Sequence, residues 1–204
     1  MSAEETRQLI LNVALNQFSQ RGYSAVSIRN LCKEVGIKES TVYYHFKNKQ
    51  AILDSLVEEF EAMADQMNQM LAFGFKDANL EKIEDNNFLQ IGKMYYTDFL
   101  NDKKIFQFIS MLMIEQQNSP ALGALFGKLM FERPIEMQAQ YFTLLIECGY
   151  LKELPAGELA AIYQSVFYFC FCHQMAMRKP LQQAVQELEK RLLFFLKQYK
   201  KGRS

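Results

Sequence analysis

Apolar residues recur along this chain every three or four positions, the spacing that gathers them on one side of a helix. Leu9, Ile10, Val13, Ala14, Leu15 and Phe18 open the series. Ahead of them, Ser2-Ala-Glu-Glu5 reads as a capping box, the Ser accepting from an orphan amide and Glu5 reaching back. Gly22 ends this first helix. Ser27 is placed to cap a short second helix, Ile28 to about Val35, and Gly36 follows, where a left-handed residue costs little without a Cβ. The pattern predicts a third short helix from about Lys38 to His45. Asn48 then caps a long fourth helix through Leu71, with Leu53, Leu56, Val57, Phe60, Met63, Met67 and Met70 on its apolar side.

Residues 74–87 are polar and read as a loop. Five further helical segments follow, at roughly 86–100, 102–117, 120–149 with a bend expected at Pro134, 156–178 and 180–200. Pro155 and Pro180 fall in first helical turns, where proline is tolerated. The last segment repeats apolar residues at Leu181, Val185, Leu188, Leu192, Phe195 and Tyr199, widened by Leu193, Phe194 and Leu196. One core buries only part of such a stripe, so a helical partner is expected. The chain has nine Gly and four Pro, too few for a fold built on tight turns, and half of its residues are hydrophobic. The fold class is therefore all-α with a sizeable core.

The net charge is zero, but residues 1–50 carry a net +3 and the remainder a net −3. A basic head on an acidic body suits a protein whose head meets a polyanion. The N-terminus lacks the cationic and apolar pattern of an export signal, and Val166 to Cys172, the most apolar stretch, is far shorter than the ~20 residues that span a bilayer. A cytoplasmic location with free thiols and no membrane partner is expected for Cys32, Cys148, Cys170 and Cys172. Cys170, Cys172 and His173 suggest a metal site at first sight. Residues two apart point to different sides of a helix, so no metal and no cofactor are expected.

The segment from Ile28 to Phe46 is the most informative. Two short helices that cross at a tight turn need small or apolar residues at the crossing. Leu31, Val35, Ile37 and Val42 supply them, Cys32 allows close approach and Gly36 makes the turn. Arg29, Glu39, Ser40 and Thr41 occupy early, outward positions and are the base-edge candidates, Arg29 for guanine and Glu39 for cytosine. Glu39 also repels phosphate and can stand simply as a solvated side chain. Tyr43, Tyr44 and His45 are polar-tipped aromatics suited to phosphate, although Tyr43 and His45 also fit a packing role. Lys49 opens the fourth helix, a position that suits a phosphate held by the ammonium and the free amides. Ser27 and Lys38 complete the candidate DNA-binding set.

In the run Ser27-Ile-Arg-Asn-Leu-Cys-Lys-Glu-Val-Gly-Ile-Lys-Glu-Ser-Thr-Val-Tyr-Tyr-His-Phe-Lys-Asn-Lys49, three parts resemble the tetracycline-repressor (TetR) family. They are the Gly-Ile turn, Thr-Val-Tyr-Tyr-His-Phe and the closing Lys-Asn-Lys. The resemblance covers about residues 6–56, and Lys38 departs from the small hydroxyl residue often found at that cap. It implies a three-helix DNA-binding domain at residues 1–48 and a helical ligand-binding and dimerisation domain at 49–204, connected by helix 49–71. It further implies phosphate contacts from Tyr43, His45 and Lys49. A homodimer through helices 156–178 and 180–200 is implied too, with release from double-stranded operator DNA by a small-molecule effector.

The body is rich in residues able to line an apolar cavity. Tyr95, Phe99, Met111, Ile114 and Met130 are candidates in its first half. Tyr141, Tyr163, Phe167 and Phe171 are candidates in its second. Plain core is the alternative for each. Glu115, Glu147, His173 and Gln174 are polar groups in apolar company, fit for a ligand, a dimer seam or the surface. An enzyme is disfavoured by two His in the whole chain and by the absence of a glycine-rich phosphate loop or a nucleophile motif. The remaining rival is a helical DNA-binding protein that senses no ligand.

Overall fold

The computed structural model describes residues 2–77 and 84–202, and their regular structure is helical. In order, the helices are α1 (Ala3–Arg21), α2 (Ile28–Val35), α3 (Glu39–His45), α4 (Lys49–Asp77) and α5 (Asp85–Met94). Then come α6 (Lys103–Glu115), α7 (Pro120–Gly127), α8 (Arg133–Glu147), α9 (Ala156–Met177) and α10 (Leu181–Tyr199). A π-helical stretch, Tyr95–Leu100, continues α5, and another, Lys128–Glu132, joins α7 to α8. An isolated antiparallel bridge pairs Leu151 with Lys200. Among the described residues no helix is long and apolar enough to cross a membrane.

The caps follow the residues that predict them. Ser2 and Glu5 form the reciprocal capping box of α1. Ser27 caps α2, with Asn30 completing the box, and Gly36 ends it at φ +77°. Asn48 accepts from the amide of Ala51 at 2.9 Å and starts α4. Three expectations change. The loop expected over 74–87 is helical at both ends, since α4 runs on to Asp77 and α5 begins at Asp85. Residues 78–83 of that loop lie outside the described residues. Gly74 costs a helix interior only about 1 kcal/mol, which a helix of this length absorbs. The buried row of α4 is Ile52, Leu53, Leu56, Phe60, Met67 and Leu71, whereas Met70 is exposed. Finally, the segment expected over 120–149 with a bend at Pro134 divides into α7, a π-helical stretch and α8, with Pro134 inside the first turn of α8. The π-helical residues just before it take up the ring, and the carbonyl four residues back, Met130 O, accepts from Gln164 Nε2 at 2.8 Å.

The contacts group into two units, residues 1–64 with 103–126, and 65–102 with 127–204. In the first, α1 packs on α2 and along α6. Its core includes Ile10, Leu11, Phe18, Leu31, Val42 and Ile52, and Phe60 stacks on Phe108 at 4.8 Å. In the second, α8 and α10 pack on α9, and α5 packs on α10. Phe88, Phe142, Tyr163 and Phe195 form an aromatic cluster there, with ring centroids 5.2–6.4 Å apart. Gly92 lets α5 approach this closely, because a Cβ on it would stand 2.7 Å from Leu192 Cδ1 and 3.0 Å from the Tyr163 hydroxyl.

Candidate functional site

The helix pair α2–α3 keeps its apolar residues inward. Leu31, Cys32 and Val42 are buried, Val35 and Ile37 half-buried, and the turn closes with Ile37 N donating to Cys32 O. Polar candidates stand outward: Ser27, Arg29, Lys38, Glu39 and Ser40 are exposed, and Thr41 is half-buried. Tyr43 and Tyr44 are 52% and 79% exposed, which removes the packing reading for Tyr43. His45 is half-buried, its ring edge-on to Tyr44 at 5.0 Å. The Ser27 hydroxyl is engaged with Asn30, so its first role is the cap.

Lys49, the expected phosphate contact, is engaged within the chain. Its Nζ donates to Tyr23 O and Val26 O, both at 2.9 Å, and lies 4.2 Å from the centre of the Tyr23 ring. Two of the three ammonium donors thus hold the α1–α2 loop. Burial pushes the Lys49 pKa down, and the Glu115 carboxylate pushes the other way. Glu115 is itself 1% exposed and accepts from Ser24 N at 2.8 Å and Ser24 Oγ at 2.7 Å. The loop before α2 is therefore clamped by the first residue of α4 and the last of α6. No sequence signal singles out Glu115 for this, because its partner is 91 positions away.

The second unit holds a small cavity of about 30 Å³. Of the ligand-binding candidates, Tyr95, Tyr141 and Tyr163 line it, with Met137 beside them. The other walls are Leu71, Phe88, Ile91, Gln138 and Phe142, which the reading of the chain did not select. Their signal is visible only when α4, α5 and α8 are set side by side. Phe99, Met130, Phe167 and Phe171 are core residues instead: Phe99 stacks on Tyr95 at 5.5 Å and Phe167 meets Tyr163 at 4.8 Å. Met111 and Ile114 do not line it and belong to the first unit, where Met111 is fully buried and Ile114 is 39% exposed. Sequence spacing says that a residue is inward-facing but not which core it enters.

A buried polar chain borders this cavity. Gln138 Nε2 donates to Gln164 Oε1 at 2.7 Å, and Gln164 Nε2 donates to Met130 O. The Tyr95 hydroxyl is hydrogen-bonded to Gln164, and burial pushes its pKa up to about 12. Burial raises the Tyr163 pKa as well. Both phenols are thus neutral at physiological pH.

The same unit carries an open groove of about 910 Å³ along α9 and α10. Ile162, Phe169, Leu193 and Phe194 are exposed, Phe194 by 64%. Glu187 accepts from Lys179 at 2.7 Å and from Arg191 at 2.9 Å and lies 3.1 Å from His173 Nδ1, while Arg191 stacks over Phe169 at 3.9 Å. Gln174 instead ties Tyr96 to Asn101, and Glu147 is exposed. Among the described residues no three His, Cys, Asp or Glu gather around a common point.

Comparison with known proteins bears on the first unit most directly. Residues 10–56 match the sequence model of the family described as bacterial regulatory proteins, tetR family. The chain is 42% identical over 60 residues to the transcriptional regulator AcrR of Shigella flexneri, spanning 29% of this chain and 28% of that one. It is 31% identical over 83 residues to the regulator UidR of Escherichia coli K12, spanning 40% and 42%. The chain thus spans less than half the length of these curated relatives. Both of these relatives are HTH-type transcriptional regulators. Over nearly its whole length it shares the fold of SmeT, the repressor of a Stenotrophomonas maltophilia efflux pump, solved with triclosan. The TM-score is 0.74 at 17% identity, covering 97% of this chain and 92% of that one. The segment 10–56 thus resembles the tetR family of bacterial regulatory proteins, and the chain as a whole shares the helical fold of SmeT.

Proposed function

We propose that this protein is a ligand-responsive repressor that binds operator DNA as a homodimer in the bacterial cytoplasm. In this reading residues 1–48 contact DNA, residues 49–204 bind effector and partner, and α4 connects the two. The observation that carries it is the outward polar face of α2–α3, with Arg29, Ser40, Tyr43 and Tyr44 exposed on a braced helix pair. Phosphate contacts supply most of the affinity and base edges the sequence choice. The exposed apolar groove along α9 and α10 supports pairing with a second copy, which would bury it. SmeT's complex with triclosan supports a small-molecule effector on this fold.

One observation favours the rival, a DNA-binding protein that senses no ligand. The cavity holds about 30 Å³, whereas ligand pockets usually run from roughly 300 Å³ upward. An effector must therefore push the walls apart, and α4, which contributes Leu71 to them, is the element to move. At ~1.5 Å per residue, α4 is a lever of roughly 43 Å that begins at Lys49. A hundredfold release of DNA requires that the effector favour the released form by about 2.7 kcal/mol.

The test starts by selecting bound duplexes from a random-sequence pool. An inverted repeat is expected, its half-sites about one helical turn or ~34 Å apart. Small molecules that raise the melting temperature are then titrated with and without the selected duplex. By linkage, the duplex must weaken the effector by the factor by which the effector weakens the duplex. No enriched repeat refutes the operator reading, and equal ligand affinities in both titrations favour the ligand-free rival.

A further inference from the structure

The second-unit cavity is bordered by an amide chain whose orientation has one consistent solution. Pro134 has no N–H for Met130 O, and that carbonyl can only accept. The end of Gln164 that meets it at 2.8 Å must be the amino group. Gln164 Oε1 then faces Gln138, which must present its own amino group across 2.7 Å. The remaining atom, Gln138 Oε1, is buried and meets no donor among the described residues. Gln138 is 6% exposed and lines the cavity. A buried amide oxygen without a donor destabilises the fold, and a molecule in the cavity that offers a donor removes that cost.

The rest of the lining narrows the ligand further. Leu71, Phe88, Ile91 and Phe142 are apolar, and among the described residues no charged side chain lines the cavity. An ion entering it would lose its hydration without a counter-charge. Flat aromatic walls suit a flat aromatic guest.

Resting on the effector reading above, we infer that this cavity takes a neutral aromatic molecule bearing a hydroxyl or N–H, which donates to Gln138 Oε1. An aromatic hydrocarbon of the same shape leaves the acceptor unpaired, and a carboxylate brings a charge and no donor. Sites built around a buried polar group reject analogues lacking its partner far more strongly than apolar walls reject a small change in size.

The experiment compares 2-naphthol, 2-methylnaphthalene and 2-naphthoate by calorimetric titration at neutral pH, on the full-length protein and on Gln138→Met. The hydroxyl and methyl groups are close in size, and the hydrophobic effect alone favours the methyl compound. On the unaltered protein, naphthol should bind at least about tenfold more tightly than methylnaphthalene, with naphthoate weakest. In Gln138→Met the order of the first two should reverse while methylnaphthalene still binds. Methylnaphthalene binding as tightly as naphthol to the unaltered protein overturns the inference and leaves an apolar effector site standing. An unchanged naphthol preference in a folded Gln138→Met also overturns it. If none of the three binds, the effector site falls and the inference with it. Should Gln138→Met fail to fold, the ratio on the unaltered protein still decides.

Discussion

Gly22 ends α1 at φ +84°, and a Cβ there would stand 2.4 Å from Glu115 Oε1. Two costs coincide at this residue, a strained backbone for any L side chain and a collision with the carboxylate that holds Ser24. Gly22→Ala should therefore lower stability by about 1–3 kcal/mol, read as a fall in the urea midpoint; an unchanged midpoint would show that neither the strain nor the collision is felt. Arg29 and Lys49 should behave differently on DNA. Arg29→Ala, on an exposed outward position, should cost about 1–3 kcal/mol on the selected duplex and little on a random one. Lys49→Met should weaken both duplexes alike and lower the melting temperature, because it unties the Tyr23–Val26 loop. Its salt slope should stay close to that of the unaltered protein, whereas loss of a direct phosphate contact reduces the slope by about one unit. A one-unit drop would return Lys49 to the phosphate role read from its position in the motif.

At the scale of the element, α9 and α10 are joined by the carboxylate of Glu187. The hydrogen bond from Lys179, with further ones from Arg191 and His173, holds its pKa near 2 against an ordinary 4.5. A folded value below the unfolded one means stability that is present above about pH 4.5 and lost as pH falls toward 2. Urea midpoints should thus drop more steeply below pH 4.5 for the unaltered protein than for Glu187→Gln. Parallel curves would mean that the network adds nothing to stability. Helix α4 shows the limit of periodicity at this scale. Its apolar stripe was legible, but Met70, on the predicted side, is 48% exposed while Ile52 and Leu71 are buried. A stripe spaced at three and four drifts around the axis, and only the neighbouring helices decide which of two adjacent positions is covered.

For the whole molecule, the proposed dimer makes a demand that neither unit makes alone. Phe169 and Phe194 are 45% and 64% exposed on the two helices that flank the groove. Replacing Phe194 by Lys should leave the helical circular dichroism spectrum intact, because little of that side chain is buried in the chain itself. In sedimentation at micromolar concentration the variant should be a monomer, and its affinity for an inverted repeat should fall to that for a single half-site. A variant that remains dimeric would place the pairing surface elsewhere.

The sequence by itself determined what depends on neighbours along the chain. The boundaries of α1 and α2 follow from Ser2 with Glu5 and from Ser27 with Gly36, because caps act over three or four residues. The motif from Ser27 to Lys49 was legible for the same reason, and with it the resemblance to the tetR family. The tertiary structure decided what depends on residues far apart. Lys49 was read as a phosphate ligand, and only the tertiary structure added its hold on two carbonyls more than 20 positions away. Met111 and Tyr95, both inward-facing aromatic or Met candidates, went to different cores. Gln138 gave no signal at all, since a polar residue in a helix reads as surface. Burial made it a candidate anchor, and burial is a property of packing between helices, which no local spacing encodes.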